Sequence, residues 1–252
     1  MTPDRIRVPA DSTLTLSQIP VSELADRVLV VGDPARAQEY SALLDDVRPV
    51  ASNREYLSFT GSYRGTPVSI VSHGIGSAGA NVLFEELCRA GVSRIIRAGT
   101  AGGLQPEVVD GSIVIATAAV REDGVTQLIA PVQYPAVADP AVVIALDNAA
   151  SQQEFDVHRG IVLTSALFYP HDVLGSTLEQ WQRAGCVAVE MEVAALLVTA
   201  SLHGVAAGAV LAIDGNPLRE ADKSMEDYSP FRDIVRAAVR GTVVTALDAL
   251  VA

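Results

Sequence analysis

The chain has 252 residues, 49% of them hydrophobic, with 18 Lys plus Arg against 30 Asp plus Glu. That length and composition predict one globular domain over residues 1–252 and exclude wholesale disorder. The net charge of −12 argues against a nucleic-acid partner or an anionic-membrane surface, but not against a small anion, which needs only a few local arginines.

The first crisp element is Arg27 to Val31, an apolar run without alternation, as expected of a strand buried on both faces. Gly32-Asp33-Pro34 ends it, and Pro34 opens a predicted helix from Ala35 to Leu44. Ser58 to Tyr63 and Pro67 to Ser72 flank Arg64-Gly65-Thr66 and read as a hairpin. A glycine-rich stretch, His73 to Gly79, precedes a helix from Ala80 to Ala90. Arg94 to Arg97 is another buried strand, followed by a predicted loop from Ala98 to Gly103. Ser112 to Ala119 and Val157 to Leu163 are further strands. Val187 to Glu190 is a short one, opening a helix from Glu192 to His203. Ala206 to Ile213 is a last apolar strand, ended by Asp214-Gly215, and Phe231 to Val251 forms a closing amphipathic helix. The alternation predicts a single-domain three-layer α/β/α fold around a central mixed sheet. In such sheets ligands bind beyond the carboxyl ends of the strands.

The polar residues at those ends are the candidate site. Gly74-x-Gly76-x-x-Gly79 matches the dinucleotide fingerprint, but no acid follows to hold a ribose diol, so a turn allowing close backbone approach is the alternative reading. Gly32 to Arg36 joins a helix start to an arginine, which suits an anion or is a plain strand-to-helix turn. Arg97 ends an apolar strand and needs a partner, either a bound oxyanion together with Thr100 or a structural carboxylate. Glu190 and Glu192 lie between apolar stretches and fit sugar hydroxyls or a helix start. Asp214 ends another apolar strand, as a general acid or merely a turn. His73 also ends a strand, while His158, His171 and His203 read as ordinary surface or core histidines. Cys88 and Cys186 show no ligand spacing, so no zinc site is expected. Met1 to Ala10 has no apolar targeting core, and no apolar run is long enough to span a bilayer, so the expectation is a cytoplasmic protein.

Taken in order, Gly32-Asp-Pro-Ala-Arg36, Asn53-Arg54-Glu55, Ser72-His-Gly-Ile-Gly76, Arg97-Ala-Gly-Thr100, Phe168-Tyr-Pro170 and Val189-Glu-Met-Glu192 resemble the nucleoside phosphorylase family, in its hexameric branch. The similarity runs from Val28 to Asp227. Val71 to Gly79, Ala119 to Asp123 and Ile213 to Pro217 look most like the purine nucleoside phosphorylases of malaria parasites within that branch. The resemblance implies reversible phosphorolysis of a purine (deoxy)ribonucleoside to free base and (deoxy)ribose 1-phosphate. It implies that Gly32, Arg36, Arg97 and Thr100 hold phosphate, and that Arg54 completes the clamp in a neighbouring subunit's site. The partner is then a second copy of the chain, in a hexamer built as a trimer of dimers. Met191 and Glu192 are implied for ribose, Phe168 and Glu190 for the base, and Asp214 for the purine N7.

Asp214 and Arg97 would be the catalytic pair, with phosphate a co-substrate and no metal or organic cofactor required. Related uridine phosphorylases can hold a monovalent cation, but Gly79 stands where one of its hydroxyl ligands would be. Two departures stand out. The family's N-terminal histidine, lent to the ribose 5′-hydroxyl, is missing, since no histidine precedes His73 and that stretch reads Leu14-Thr15-Leu16. Arg5 or Arg7 could replace it, or the substrate could be deoxy or modified at the 5′ position. The Gln and Arg with which uridine phosphorylases bind uracil are replaced by His171-Asp172-Val173-Leu174. Uridine phosphorylase, a nucleosidase, and a non-catalytic nucleoside- or NAD-binding protein are the alternatives.

Overall fold

A computed structural model describes residues 7–171, 173–219 and 232–252. The elements in order are β1 (Arg27–Val31), α1 (Pro34–Ser41), β2 (Asp45–Asn53), β3 (Tyr56–Tyr63), β4 (Thr66–Ser72), α2 (Ser77–Ala90), β5 (Arg94–Gly103), β6 (Ile113–Glu122), α3 (Thr126–Ile129), β7 (Ala136–Val137), α4 (Pro140–Ala150), β8 (Val157–Ser165), α5 (Leu178–Arg183), β9 (Ala188–Glu190), α6 (Val193–His203), β10 (Ala206–Gly215) and α7 (Asp233–Val251). One 3-10 turn, Val21–Glu23, precedes them. Asp172, Arg5 and Phe231, which entered the sequence reading, lie outside the described residues.

Strand β1 shows why three layers form. Its alternate residues Val28 and Val30 pack with Leu83, Phe84 and Leu87 of α2 and with Val193 to Val198 of α6. Leu29 and Val31 face the other way, into a core shared with Tyr40 of α1, Leu146 of α4 and Leu247 of α7. A strand with both faces covered reads as a continuous apolar run, and this one does. Glycines at φ 92 and φ 58 close α2 and α6, as a left-handed cap requires. Aspartates cap α1 and α4, each followed by a proline. The predicted hairpin is β3–β4, turned by Arg64 at φ 50 and Gly65 at φ 77. Among the described residues no helix is long and apolar enough to cross a membrane.

The sheet is mixed, and part of it closes on itself. Strand β5 runs parallel to β1, β4 and β10, while β6, β8 and β9 run the opposite way. The pairings β5–β10–β6–β8–β9–β5 complete a ring. One expectation is corrected here: Ala98 to Gly103 is not a loop but the second half of β5, in register with β10 from Arg94 to Gly102. Small residues tolerate the crowding that this continuation demands; a Cβ on Gly102 would lie 2.8 Å from Pro217 Cδ. The opposite edge of β5 pairs with β1 only as far as Arg97, and with β9 only from Gly102 onward. Residues 98–101 therefore border a fork in the sheet, and the polar strand ends gather around that fork.

Candidate active site

Strands β1, β4 and β5 deliver Gly32, His73 and Arg97 to adjacent positions: Val31 registers with Ser72, and Val30 with Arg97. Arg97 is 4% exposed, so its charge must be met inside the protein. Its Nη2 donates to Glu192 Oε2 at 2.5 Å and lies 3.6 Å from Glu190 Oε2. Its Nη1 is 3.1 Å from His73 Nε2. Its Nε has no hydrogen-bond partner among the described residues. The guanidinium folds back over Gly99, where a Cβ would sit 2.6 Å from Nη1 and 2.8 Å from Cζ. The bare backbone of Gly99 is what lets the fork lie there.

The two glutamates play different parts. Glu190 ends β9 with both oxygens engaged inward: Thr164 Oγ1 donates to Oε1 at 2.6 Å, and the Glu192 and Val193 N–H groups donate to Oε2 at 2.7 and 2.9 Å. It thereby satisfies the first orphan donors of α6, a helix whose own N-cap position carries no side-chain cap. These contacts hold the Glu190 side chain at the β9–α6 junction. Burial pushes its carboxyl above the usual range and Arg97 pulls it back, with the Glu192 charge raising it further. Glu192 instead turns toward the glycine-rich stretch, where its Oε1 accepts from the Gly76 N–H at 2.5 Å. Gly74 and Gly76, at φ 76 and φ 89, bend that stretch into the N-terminus of α2. Ser77 Oγ donates to the Met191 carbonyl at 2.7 Å, which ties the β9–α6 connection, Met191 and Glu192, to the same helix start.

The remaining candidates stand around this cluster. Thr100, half-buried, follows Arg97 along β5 opposite Ala212 of β10. Asp214, 6% exposed, sits at a bulge of β10 between Ile213 and Gly215, with its carbonyl accepting from Arg232 Nη2. Gly32 accepts from the Gly74 N–H through its carbonyl at 2.9 Å. Arg36, half-buried in α1, makes no ion pair among the described residues. Phe168, 48% exposed, follows β8 and packs edge-on against Tyr169. Arg54 is exposed at the β2–β3 turn with φ 53 and likewise makes no ion pair among the described residues. Asn53 Nδ2 donates to the Leu16 carbonyl at 2.7 Å, so the Leu14–Leu16 stretch lies beside this turn. Arg7 lies against Gly91, at the end of α2 remote from the glycine stretch.

Sequence reasoning underrated Ser77, Thr164 and His73. Ser77 lies in the glycine-rich stretch without a role assigned to it there, and Thr164 carries no motif. His73 carried the one available signal, a lone histidine closing an apolar strand.

Comparison with known proteins identifies the family and the fold. The model of the phosphorylase superfamily matches residues 26–248. A purine nucleoside phosphorylase of Plasmodium falciparum (isolate 3D7) is 41% identical over 210 residues, covering 83% of this chain and 86% of that one. A uridine phosphorylase of Treponema pallidum is 38% identical over 215 residues, covering 82% and 83%. The crystal structure of a Toxoplasma gondii purine nucleoside phosphorylase in complex with immucillin-H superimposes with a TM-score of 0.89 at 33% identity, covering 94% of this chain and 95% of that one. By family match, sequence identity and fold, the chain belongs to the phosphorylase superfamily.

Proposed function

We propose that the protein is a purine nucleoside phosphorylase, a pentosyltransferase that reversibly converts a purine (deoxy)ribonucleoside and phosphate to free base and (deoxy)ribose 1-phosphate. The observation that carries the reading is the buried Arg97, flanked by Glu192 and with an Nε that has no partner among the described residues, at the fork of the sheet. A structural ion pair alone leaves that donor unexplained, whereas a bound oxyanion supplies an acceptor.

In this reading Arg97, Arg36 and Thr100 hold phosphate beside Gly32. Glu192 keeps lone pairs for the sugar hydroxyls beyond those taken by Arg97 and Gly76. Met191 lines the sugar and Phe168 covers the base. As the glycosidic bond breaks, positive charge grows at the anomeric carbon, and the phosphate dianion below it serves as counter-charge and nucleophile. Asp214 gives or shares a proton at purine N7, so that the base leaves neutral; such assistance is typically worth about 10²–10⁴-fold. Phosphate is a co-substrate, and no metal or organic cofactor takes part. The absence of the uracil-binding Gln and Arg after Phe168-Tyr169-Pro170 favours a purine over uridine.

The same reading makes the protein one domain and a homo-oligomer, a hexamer arranged as a trimer of dimers. Arg54 reaches from one subunit into the neighbour's phosphate site, in keeping with its exposure and with its having no ion pair among the described residues. Its role is cytoplasmic purine salvage, with no nucleic-acid or membrane partner.

The test is base release from inosine, guanosine, adenosine, methylthioadenosine and uridine, each with and without phosphate. Strictly phosphate-dependent release from a purine nucleoside is expected. Uridine as best substrate overturns the base assignment, and equal release without phosphate makes the enzyme a nucleosidase.

A further inference from the structure

We infer that His73 is a positioning residue for Arg97, holding the guanidinium in its phosphate-receiving orientation by accepting a hydrogen bond at Nε2. The inference rests on the reading of Arg97 as a phosphate ligand.

His73 is wholly buried, and its two ring nitrogens have unlike partners. Nδ1 lies 2.8 Å from the Gly74 carbonyl oxygen, which can only accept, so Nδ1 carries the proton. Nε2 lies 3.1 Å from Arg97 Nη1, which can only donate, so Nε2 offers its lone pair. The ring is therefore neutral, and burial together with the adjacent Arg97 cation holds it so, well below the usual imidazole range. Its orientation is fixed from both sides. Phe84 packs edge-on at 5.4 Å between centroids. The Gly74 N–H is tied to the Gly32 carbonyl at 2.9 Å, which fixes the backbone that His73 binds.

The need for such a residue follows from charge. The other contacts of the guanidinium are carboxylates, Glu192 at 2.5 Å and Glu190 at 3.6 Å, both on its Nη2 side. Alone they would draw it toward themselves and away from an incoming anion. A neutral acceptor on Nη1 opposes that pull without cancelling any charge. It leaves the cation's net field for the phosphate, and with Gly99 beneath, it fixes the plane of the fork.

Two substitutions separate this role from mere packing. The amide oxygen of His73→Gln can occupy the place of Nε2, whereas His73→Asn is too short to reach Arg97 and can only mimic the Nδ1 side. For the phosphate-dependent enzyme, His73→Asn should raise the phosphate KM about tenfold, the loss of one hydrogen bond to a charged group. His73→Gln should stay within about threefold of wild type, with melting temperatures of the two variants alike. Equal phosphate KM values for Gln and Asn would overturn the inference while leaving the phosphorylase reading intact. A wild-type enzyme indifferent to phosphate would overturn both. Should either variant fail to fold, 15N NMR of wild-type His73 decides: a neutral ring protonated at Nδ1 supports the inference, and an imidazolium or an Nε2–H ring at pH 7 overturns it.

Discussion

The site has two halves that differ in how they are held. Arg97, His73, Glu190 and Glu192 are buried and joined to one another by short contacts. Arg54 and Phe168 are exposed, and Arg54 and Arg36 make no ion pair among the described residues. The buried half is assembled by the chain's own strands, because an uncompensated charge at such a position costs several kcal/mol. The exposed half carries no such obligation, so its geometry awaits a ligand or, in the proposed oligomer, a second copy. Preorganisation here follows burial.

The comparison breaks most sharply at Arg97. Arg97→Met leaves two buried carboxylates without their cation, which should cost about 3–5 kcal/mol in denaturant unfolding and abolish phosphate-dependent turnover. If stability is unchanged, the carboxylates are not charged and the buried half has been misread. Asp214→Asn keeps shape but cannot protonate a base. Turnover of a purine nucleoside should fall by about 10²–10⁴-fold with the phosphate KM little changed. Full activity in that variant would remove Asp214 from the mechanism.

Gly99→Ala tests preorganisation without touching a charge. Its methyl meets the guanidinium, so Arg97 must shift, and kcat/KM should fall by roughly 10²-fold. Arg54→Ala, in the exposed half, should change stability by less than about 0.5 kcal/mol yet raise the phosphate KM about tenfold or more. Mixing it with Arg97→Met subunits should restore activity if Arg54 serves a neighbour's site; no recovery would place Arg54 in its own subunit's site or in none.

The smallest effect concerns Glu190. Its folded pKa is raised, so the native state binds the proton more tightly than the unfolded chain does. The associated stability is present below the unfolded value near 4.5 and is lost as pH rises through the folded value. Relative to Glu190→Gln, wild type should thus lose stability from pH 4.5 upward, at no more than about 1.4 kcal/mol per pH unit. A difference that is flat or rises with pH would mean that the helix N–H groups and Arg97 outweigh burial.

Much of this was legible in the chain itself. Arg27–Val31, the β3–β4 hairpin and the helices after the glycine stretch and after Glu192 declare themselves through short-range signals: apolar runs, turn residues and glycine caps. The order of motifs from Gly32 to Asp214 was enough to identify the family, because most of them sit at strand ends or turns, where a side chain escapes the packing rules of the core.

Other features were decided only by contacts between distant segments. The continuation of β5 through Gly99–Gly103 depends on β10, more than a hundred residues downstream, since glycine carries no strand preference of its own. The choice between Glu190 and Glu192, identical residues two apart in sequence, was made by what surrounds them: helix N–H groups and Thr164 for one, Arg97 and Gly76 for the other. The role of His73 likewise exists only because parallel pairing sets the end of β4 beside the middle of β5. Sequence alone determined which residues could carry charge to the strand ends. Tertiary structure decided which charge meets which, because the energy of a buried charge depends on its neighbours and not on its place in the chain.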